Sequence, residues 1–469
     1  MSNFWDSDVW GSMNLIAIIL FSLIVANMLK KNLKFLQATL IPTSVIGGII
    51  LLVVSNLTNL IWGTNLFETN FFSGEGSSGI DMLEIITYHA LALGFIAQTL
   101  RESSRKFTKE RNCEIFNSGV TTVASYLLQG ALGLSITLVA SMIITGFFPA
   151  SGLLLTFGFG QGSGQALNYG SIYETDYGFI GGKSFGLAIA ALGFISSSIG
   201  GVIHMNIMKS KGKITIRSAE EDITSPEAVE SKKEIPMNGT IDKLTVQIAF
   251  IAVTYAVTYA MMYLLGSLLP GMRSVIYGFN FLLGVIAASL IKAIVNLLRK
   301  RGIVKKQYTN NFFLTHLANF FFDIMIVAGI AAIRLDTIKM YWHVLIILAA
   351  LGTLVTYFYN YFVAKRLFKD YTQEQFLVMY GMLTGTASTG IMLLREVDPR
   401  FETPASENLI YQTLYAIILG FPMMMVALLA PAHTISTLVI VAVSFVVLNI
   451  VLFRKAIFKR RKPKNEGNE

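Results

Sequence analysis

The sequence predicts an all-α polytopic membrane protein, both from its composition and from the number of its long apolar segments. Of 469 residues, 54% are hydrophobic and 14% are charged, and the mean hydropathy is +0.60. Soluble domains carry about 25% charged residues. A soluble core cannot bury this much apolar surface, so the chain requires a bilayer as its solvent.

Eleven apolar segments are long enough to cross a bilayer, because a membrane-spanning helix needs roughly 20 predominantly apolar residues. They are 13–29, 41–62, 82–100, 115–146, 181–207, 244–268, 274–298, 312–333, 341–364, 408–430 and 434–453. Two further stretches, 152–175 and 374–394, are rich in Gly, Ser and Thr. Segments this polar cannot face lipid, so each is predicted to be a re-entrant pore loop buried in protein.

The basic residues predict the orientation of these segments. With the N-terminus outside the cell, most Lys and Arg fall on the cytoplasmic side, as the positive-inside rule requires. The outer side then holds Lys183, Arg273, Arg334 and Lys339, and the basic C-terminal tail is cytoplasmic. The net charge of +9 is therefore a topology signal in a multi-pass protein of the cell membrane, and it predicts no nucleic-acid partner.

The longest polar stretch, 208–241, divides the chain into two halves. It has no aromatic residue and mixes both charge signs, which predicts a flexible cytoplasmic linker. The halves, 1–207 and 242–430, each contain five spans with a glycine-rich loop between the fourth and the fifth. Because five is odd, the halves would have inverted topology, as in many secondary transporters. Residues 431–469 add one extra helix and a basic tail.

The first glycine-rich loop reads FGFGQGSGQALNYGSIYE over 157–174. Glycine backbone approaches ligands closely and can aim N–H and C=O groups at an ion or a carboxylate. Tight helix packing is the alternative, but packing does not explain the amide side chains. The substrate-binding candidates here are Gly160, Gln161, Gly162, Ser163, Gly164, Gln165 and Asn168.

The second loop, MYGMLTGTASTGIMLLREVDP over 379–399, is rich in hydroxyl groups. Hydroxyls and unwound carbonyls suit Na⁺, and the N-termini of half-helices suit a carboxylate. The alternative is that Ser and Thr bond only to the preceding turn of their own helix. The candidates are Thr384, Gly385, Thr386, Ser388, Thr389 and Gly390.

An acidic residue, Asp323, lies in the middle of the eighth span, in FFFDIMIVAG. A charged side chain at the bilayer centre costs about 2.5–3.5 kcal/mol, so it usually faces a cavity and has a function. Asn319 lies one helical turn earlier on the same face. Asp323, Asn319, Thr386 and Ser388 are therefore predicted to couple transport to Na⁺, although a purely structural polar cluster remains the alternative.

Three stretches resemble the sodium/glutamate symporter family: LQATLIPTSVIGGIILLV (36–53), the run from GFGQGSGQALNYG to SSSIGGVI (158–203), and 381–390. The resemblance implies two inverted five-helix halves with pore loops from opposite faces, homodimers, and glutamate uptake driven by Na⁺. By position, Gly160–Gly164 correspond to the family's first motif, and Gly381, Gly385 and Gly390 to the glycines of the second.

The predicted function is therefore Na⁺-coupled symport of glutamate or a related carboxylate, with Na⁺ as coupling ion and no other cofactor or metal. The 2-hydroxycarboxylate transporters share the two-loop plan, so a di- or tricarboxylate is an alternative substrate. A cation/proton antiporter using Asp323 and a channel or membrane scaffold are the alternative functions. No nucleophile elbow, metal-ligand cluster or other catalytic motif is present, which predicts that the protein is not an enzyme.

Overall fold

The computed structural model describes residues 3–73, 78–102, 108–214, 241–398 and 402–457. Within these ranges the chain is helical and contains no strand. The fourteen principal helices are α1 (Ser7–Asn32), α2 (Thr43–Trp62), α3 (Gly79–Leu100), α4 (Lys109–Ile143), α5 (Ser163–Tyr177), α6 (Gly182–Ser210), α7 (Lys243–Leu268), α8 (Asn280–Lys300), α9 (Asn311–Ala331), α10 (Trp342–Leu367), α11 (Thr372–Thr384), α12 (Ala387–Arg395), α13 (Ala405–Ala427) and α14 (Thr434–Leu452).

Ten helices in the described ranges are long and apolar enough to cross a membrane, and α13 makes eleven if its two parts count as one span. The predicted number of spans is thereby confirmed, and each predicted segment overlaps one of the principal helices. Helix α13 bends by 51° between Thr413 and Tyr415, which the sequence did not predict. Helix α4 begins at Lys109, earlier than predicted, because the Thr108 hydroxyl caps it by accepting a hydrogen bond from the Arg111 amide at 3.3 Å.

The two glycine-rich segments fold as short, interrupted helices. In the first, a wide helical turn over Thr156–Gln161 precedes α5; in the second, α11 and α12 are separated by Gly385 and Thr386. Helices α5, α11 and α12 have 15, 13 and 9 residues. At about 1.5 Å per residue, each is shorter than the roughly 30 Å hydrocarbon core. Re-entry of the two segments from opposite faces stays a prediction.

Helices at corresponding positions in the two predicted halves pack against each other. The third spans, α3 and α9, are in contact, and so are the fourth spans, α4 and α10. Helix α4 also packs against α13 and α14, and α6 packs against both α5 and α11. The inverted relation between the halves stays a prediction. Helix α6 continues through Ser210, into the predicted linker, and residues 215–240 lie outside the described ranges, as does the tail from 458.

The first interrupted segment is anchored where two backbones touch. A Cβ on Gly133 of α4 would lie 2.0 Å from the carbonyl oxygen of Gly152, and a Cβ on Gly152 would lie 2.2 Å from that of Gly133. Helices α5 and α6 meet similarly, since a Cβ on Gly170 would lie 2.4 Å from the carbonyl oxygen of Gly182. Only glycine permits these approaches, so packing alone explains these four glycines.

We expect Gly133→Ala to destabilise the protein by about 1–3 kcal/mol, the usual cost of inserting a methyl group into a packed interior. Thermal unfolding of the detergent-purified protein, followed by intrinsic fluorescence, measures the effect. Gly271→Ala is the control, because no atom lies within 4 Å of a Cβ at that position. Equal unfolding temperatures for the two variants would contradict the proposed contact.

Candidate functional site

The two interrupted segments touch each other at their breaks. A Cβ on Gly162, directly before α5, would lie 3.5 Å from Cγ2 of Thr386 and 3.9 Å from the carbonyl oxygen of Gly385. Gly162 has φ +85°, the left-handed region that favours glycine. The chain therefore changes direction in both segments at the same place in the protein.

A cavity of about 150 Å³ lies at this junction. One water needs about 10–15 Å³ of such volume, so there is room for several waters or a small organic ion. Its lining includes residues from both segments: Gly160, Gln161, Gln165, Gly385, Thr386 and Ser388. The walls are largely apolar and aromatic, and include Leu91, Phe95, Tyr126, Phe281, Phe322 and Met325.

Two helix N-termini open onto this cavity. Helix α5 begins at Ser163 and α12 begins at Ala387, each directly after a break. The first N–H groups of a helix have no acceptor within it and carry the positive end of its dipole. Neither N-cap, Gly162 or Thr386, supplies a side-chain hydrogen bond to these groups. Paired, uncapped N-termini at one cavity are suited to an anion.

The α5 terminus also carries buried polar atoms without a protein partner. Both amide atoms of Gln165 and the hydroxyl of Ser163 are buried and make no hydrogen bond within the described part of the chain. The side chain of Gln165 is only 1% exposed. Leaving such a group unsatisfied costs about 1–3 kcal/mol, so a ligand or water bound in the cavity would relieve a real energetic penalty.

The other glycines of the first segment serve close packing. A Cβ on Gly160 would lie 2.4 Å from the ring of Tyr126, one on Gly164 would lie 2.7 Å from Leu91, and one on Gly158 would lie 2.7 Å from Ile189. These three positions fit the packing alternative. Gly162, with its left-handed conformation, is the position at which glycine is needed for the turn itself.

The hydroxyls of the second segment divide between two roles. Thr384 donates to the carbonyl of Tyr380 at 2.7 Å, as expected for bonding within a helix. Thr386 and Ser388 line the cavity, and the Thr386 and Thr389 hydroxyls lie 3.3 Å apart. Gly390 lets α12 fold back on α11, since its Cβ would lie 2.5 Å from the carbonyl of Val378.

Three candidates lie away from the cavity. Asn168 donates to the carbonyl of Gly278 at 2.9 Å and so ties α5 to the turn before α8. Asp323 is half-buried and faces the Ser44 hydroxyl without an ordinary hydrogen bond; its neighbour Phe322 lines the cavity instead. Asn319 is exposed. The structure does not bring Asp323 and Asn319 to the loop hydroxyls.

Polar cavity residues on the flanking helices were not among the residues predicted from the sequence. Gln98 on α3, Thr122 on α4, and Gln412 and Thr413 on α13 all line the cavity. The available signal was a polar side chain in the middle of an apolar span, which is costly in lipid and usually faces the interior.

A polytopic helical protein whose discontinuous helices meet at an internal cavity has the architecture of a secondary transporter. Residues 10–403 match the family model described as sodium/glutamate symporter, and the chain belongs to this family. The resemblance noted in the sequence is thereby confirmed, and the family indicates sodium-coupled transport. Comparison with curated proteins found no match, and neither did comparison with solved structures.

We expect Gly162→Ala to weaken ligand binding in the cavity, because φ +85° with ψ −178° is essentially open only to glycine and a side chain there shifts the break. Gly178→Ala is the control for a side chain at positive φ: Gly178 has φ +72° and ψ 22°, ends the same helix, and has no atom within 4 Å of its Cβ. Both variants should lose thermal stability, Gly162→Ala more than Gly178→Ala, but Gly162→Ala alone should lose affinity for labelled L-glutamate, used as the probe. Equal affinities in the two variants would contradict a binding role for this break.

Proposed function

We propose that this protein is a secondary active transporter that carries glutamate or a related carboxylate across the cell membrane by symport with Na⁺. The observation that carries this proposal is the meeting of two uncapped helix N-termini at one cavity, beside the unpaired amide of Gln165. Membership of the sodium/glutamate symporter family supports it.

The charge balance of the cavity favours a carboxylate bound together with a cation. No Lys or Arg lines it within the described ranges. Each helix N-terminus is equivalent to about +0.5 elementary charge, so two supply about one positive charge. That suffices for one carboxylate, whereas glutamate has two carboxylates and one ammonium group. The lining supplies no basic side chain to the second carboxylate, and a Na⁺ bound beside it would provide that partner, which gives a physical reason for coupling.

The proposed Na⁺ ligands are the hydroxyls of Thr386 and Ser388 together with backbone carbonyls at the break. Unwound carbonyls at such breaks hold coupling ions in other transporters. Asp323 would strengthen Na⁺ binding from its position on α9, because a carboxylate that forms no ion pair acts over several ångströms in low dielectric. Asn319 stays among the residues proposed to couple transport to Na⁺ only because it lies one helical turn before Asp323. We further propose an outside N-terminus, a cytoplasmic C-terminus and a homodimer.

Reconstitution into liposomes tests the main proposal. An inward Na⁺ gradient should drive accumulation of labelled L-glutamate above the level in empty liposomes, and replacing Na⁺ by K⁺ should abolish it, because the anion then lacks its companion charge. Citrate and malate, added as competitors, separate an amino-acid substrate from other carboxylates. Glutamate accumulation that is independent of Na⁺ would contradict coupling.

A cation/proton antiporter is the second candidate, favoured by one observation. Asp323 lies mid-way along α9, is half-buried and forms no ion pair with any described residue, as an exchanging carboxylate would. Antiport predicts proton movement on addition of Na⁺ without organic solute, and a pH-sensitive dye inside the liposomes reports it.

The two candidates respond differently to Asp323→Asn. For a symporter, the variant should fold and transport, but with a higher Na⁺ concentration at half-maximal uptake, because the attracting charge is gone. For an antiporter, all exchange should cease. Asp336→Asn, at an exposed position in the turn after α9, is the control and should match the wild type. A misfolded Asp323→Asn protein would indicate a structural role instead.

A further inference from the structure

A continuous chain of side-chain hydrogen bonds connects the Arg111 end of α4 with the cavity wall. Arg111 donates to Oδ1 of Asn408 at 3.1 Å, and Asn408 donates to Oε1 of Gln375 at 2.8 Å. Gln375 donates to the hydroxyl of Ser118 at 3.1 Å, and Ser118 donates to Oε1 of Gln412 at 2.6 Å. The chain joins α4, α11 and α13, and its last four members are buried.

The direction of every bond in this chain follows from its first member. A guanidinium has donors and no acceptor, so Asn408 must turn its carbonyl oxygen to Arg111 and its NH₂ group to Gln375. Gln375 must then present its oxygen to Asn408 and its NH₂ group to Ser118. The Ser118 hydroxyl, having accepted that bond, donates onward to Gln412. Amide orientation is thus decided by the network as a whole.

The chain ends with the NH₂ group of Gln412 at the cavity. Its carbonyl oxygen is held by two hydroxyls, Ser118 and also Thr122 at 3.1 Å. Its nitrogen makes one bond within the described structure, to the sulfur of Met382 at 3.2 Å, and a thioether is a weak acceptor. Gln412 lines the same cavity as Gln165 and Thr386. A buried amide therefore offers fixed N–H donors there.

We propose that Gln412 binds substrate by donating to a carboxylate oxygen, and that Arg111 positions it through Asn408, Gln375 and Ser118. This inference rests on the proposed function, since it names a carboxylate as the ligand. Helix α13 begins after residue 403, where the match to the symporter family ends, so the family match assigns no role to this side chain. Hydrogen bonds to an ionised acceptor are roughly twice as strong as neutral ones.

The contact itself is tested by Gln412→Glu, which keeps the shape and replaces the N–H donors by acceptors. We expect the dissociation constant for L-glutamate, measured with labelled ligand on the full-length purified protein in saturating Na⁺, to rise at least about tenfold. The matched control is Gln37→Glu, at an exposed position in the short helix Lys34–Thr39, which should bind as the wild type does.

The positioning role is tested by Asn408→Asp, because Asn408 is not among the residues that line the cavity. A carboxylate at position 408 accepts from Arg111 but cannot donate to Gln375, so the Gln375 amide turns over and presents its oxygen to Ser118. Ser118 then donates to Gln375 and accepts from Gln412. The Gln412 oxygen now faces the cavity, and glutamate binding should weaken by about the same factor as in Gln412→Glu.

Rescue separates this mechanism from simple damage. Adding Ser118→Ala to Asn408→Asp cuts the chain, and the Thr122 hydroxyl alone then returns the Gln412 oxygen to its original side. The double variant should recover affinity for glutamate, although it carries one more substitution. Ser118→Ala alone also leaves only the Thr122 hydroxyl on the Gln412 oxygen, so it should bind glutamate more weakly than the wild type and about as tightly as the double variant.

The outcomes are distinct. A wild-type protein that does not bind glutamate overturns the proposed function and this inference with it. A wild type that binds, with Asn408→Asp binding equally well, overturns the positioning role. Loss of affinity in Asn408→Asp that Ser118→Ala does not restore also overturns it, because added charge or damage would then explain the loss. Thermal unfolding of each variant confirms that the compared proteins are folded.

Discussion

The contact between the two helix breaks is the feature on which the rest of this structure depends. In a bilayer each unsatisfied backbone group costs several kcal/mol, so irregular backbone survives only where protein surrounds it. Gly162 and the Gly385–Thr386 pair satisfy this requirement by facing each other. The same arrangement leaves helix N-termini directed at one small cavity, and that cavity becomes suited to an anion.

Close backbone packing holds this contact in position. The Gly133–Gly152 contact fixes the start of the first segment against α4, and the approach of Gly390 to Val378 folds α12 onto α11. Helices packed through glycine have almost no freedom to adjust, because backbone atoms already touch. A movement of either segment, such as transport requires, would therefore involve the helices as rigid units.

Polar side chains of the flanking helices link the helices around the cavity by hydrogen bonds. Gln129 donates to the carbonyl of Leu383 at 2.8 Å and to Thr356 at 2.9 Å, which links α4, α10 and the end of α11. The chain from Arg111 to Gln412 links α4, α11 and α13 further along. In low dielectric such networks are strong when every member is paired and costly when one is not, and the buried side-chain oxygen of Gln129 has no partner within the described ranges. These two networks therefore connect the second segment to α4, and the amides of Gln165 and Gln412 stay available to a ligand in the cavity.

Much of the architecture was determined by the sequence alone. Apolar runs must become membrane helices because each buries its own backbone groups, so the number of spans and the polar, interrupted character of 152–175 and 374–394 followed from composition. Gly160, Gln165 and Thr386 were candidates for the same local reason, and all three line the cavity. The tertiary structure decided which side of each helix faces the cavity. Asp323 faces Ser44 on α2, whereas its neighbour Phe322 lines the cavity. Asn168 bonds to the carbonyl of Gly278 instead of facing the cavity, and Gln412 lies in the cavity wall. A helix turns about 100° per residue, and the pairing of distant helices selects the inward face, so these placements depend on contacts that no local pattern specifies.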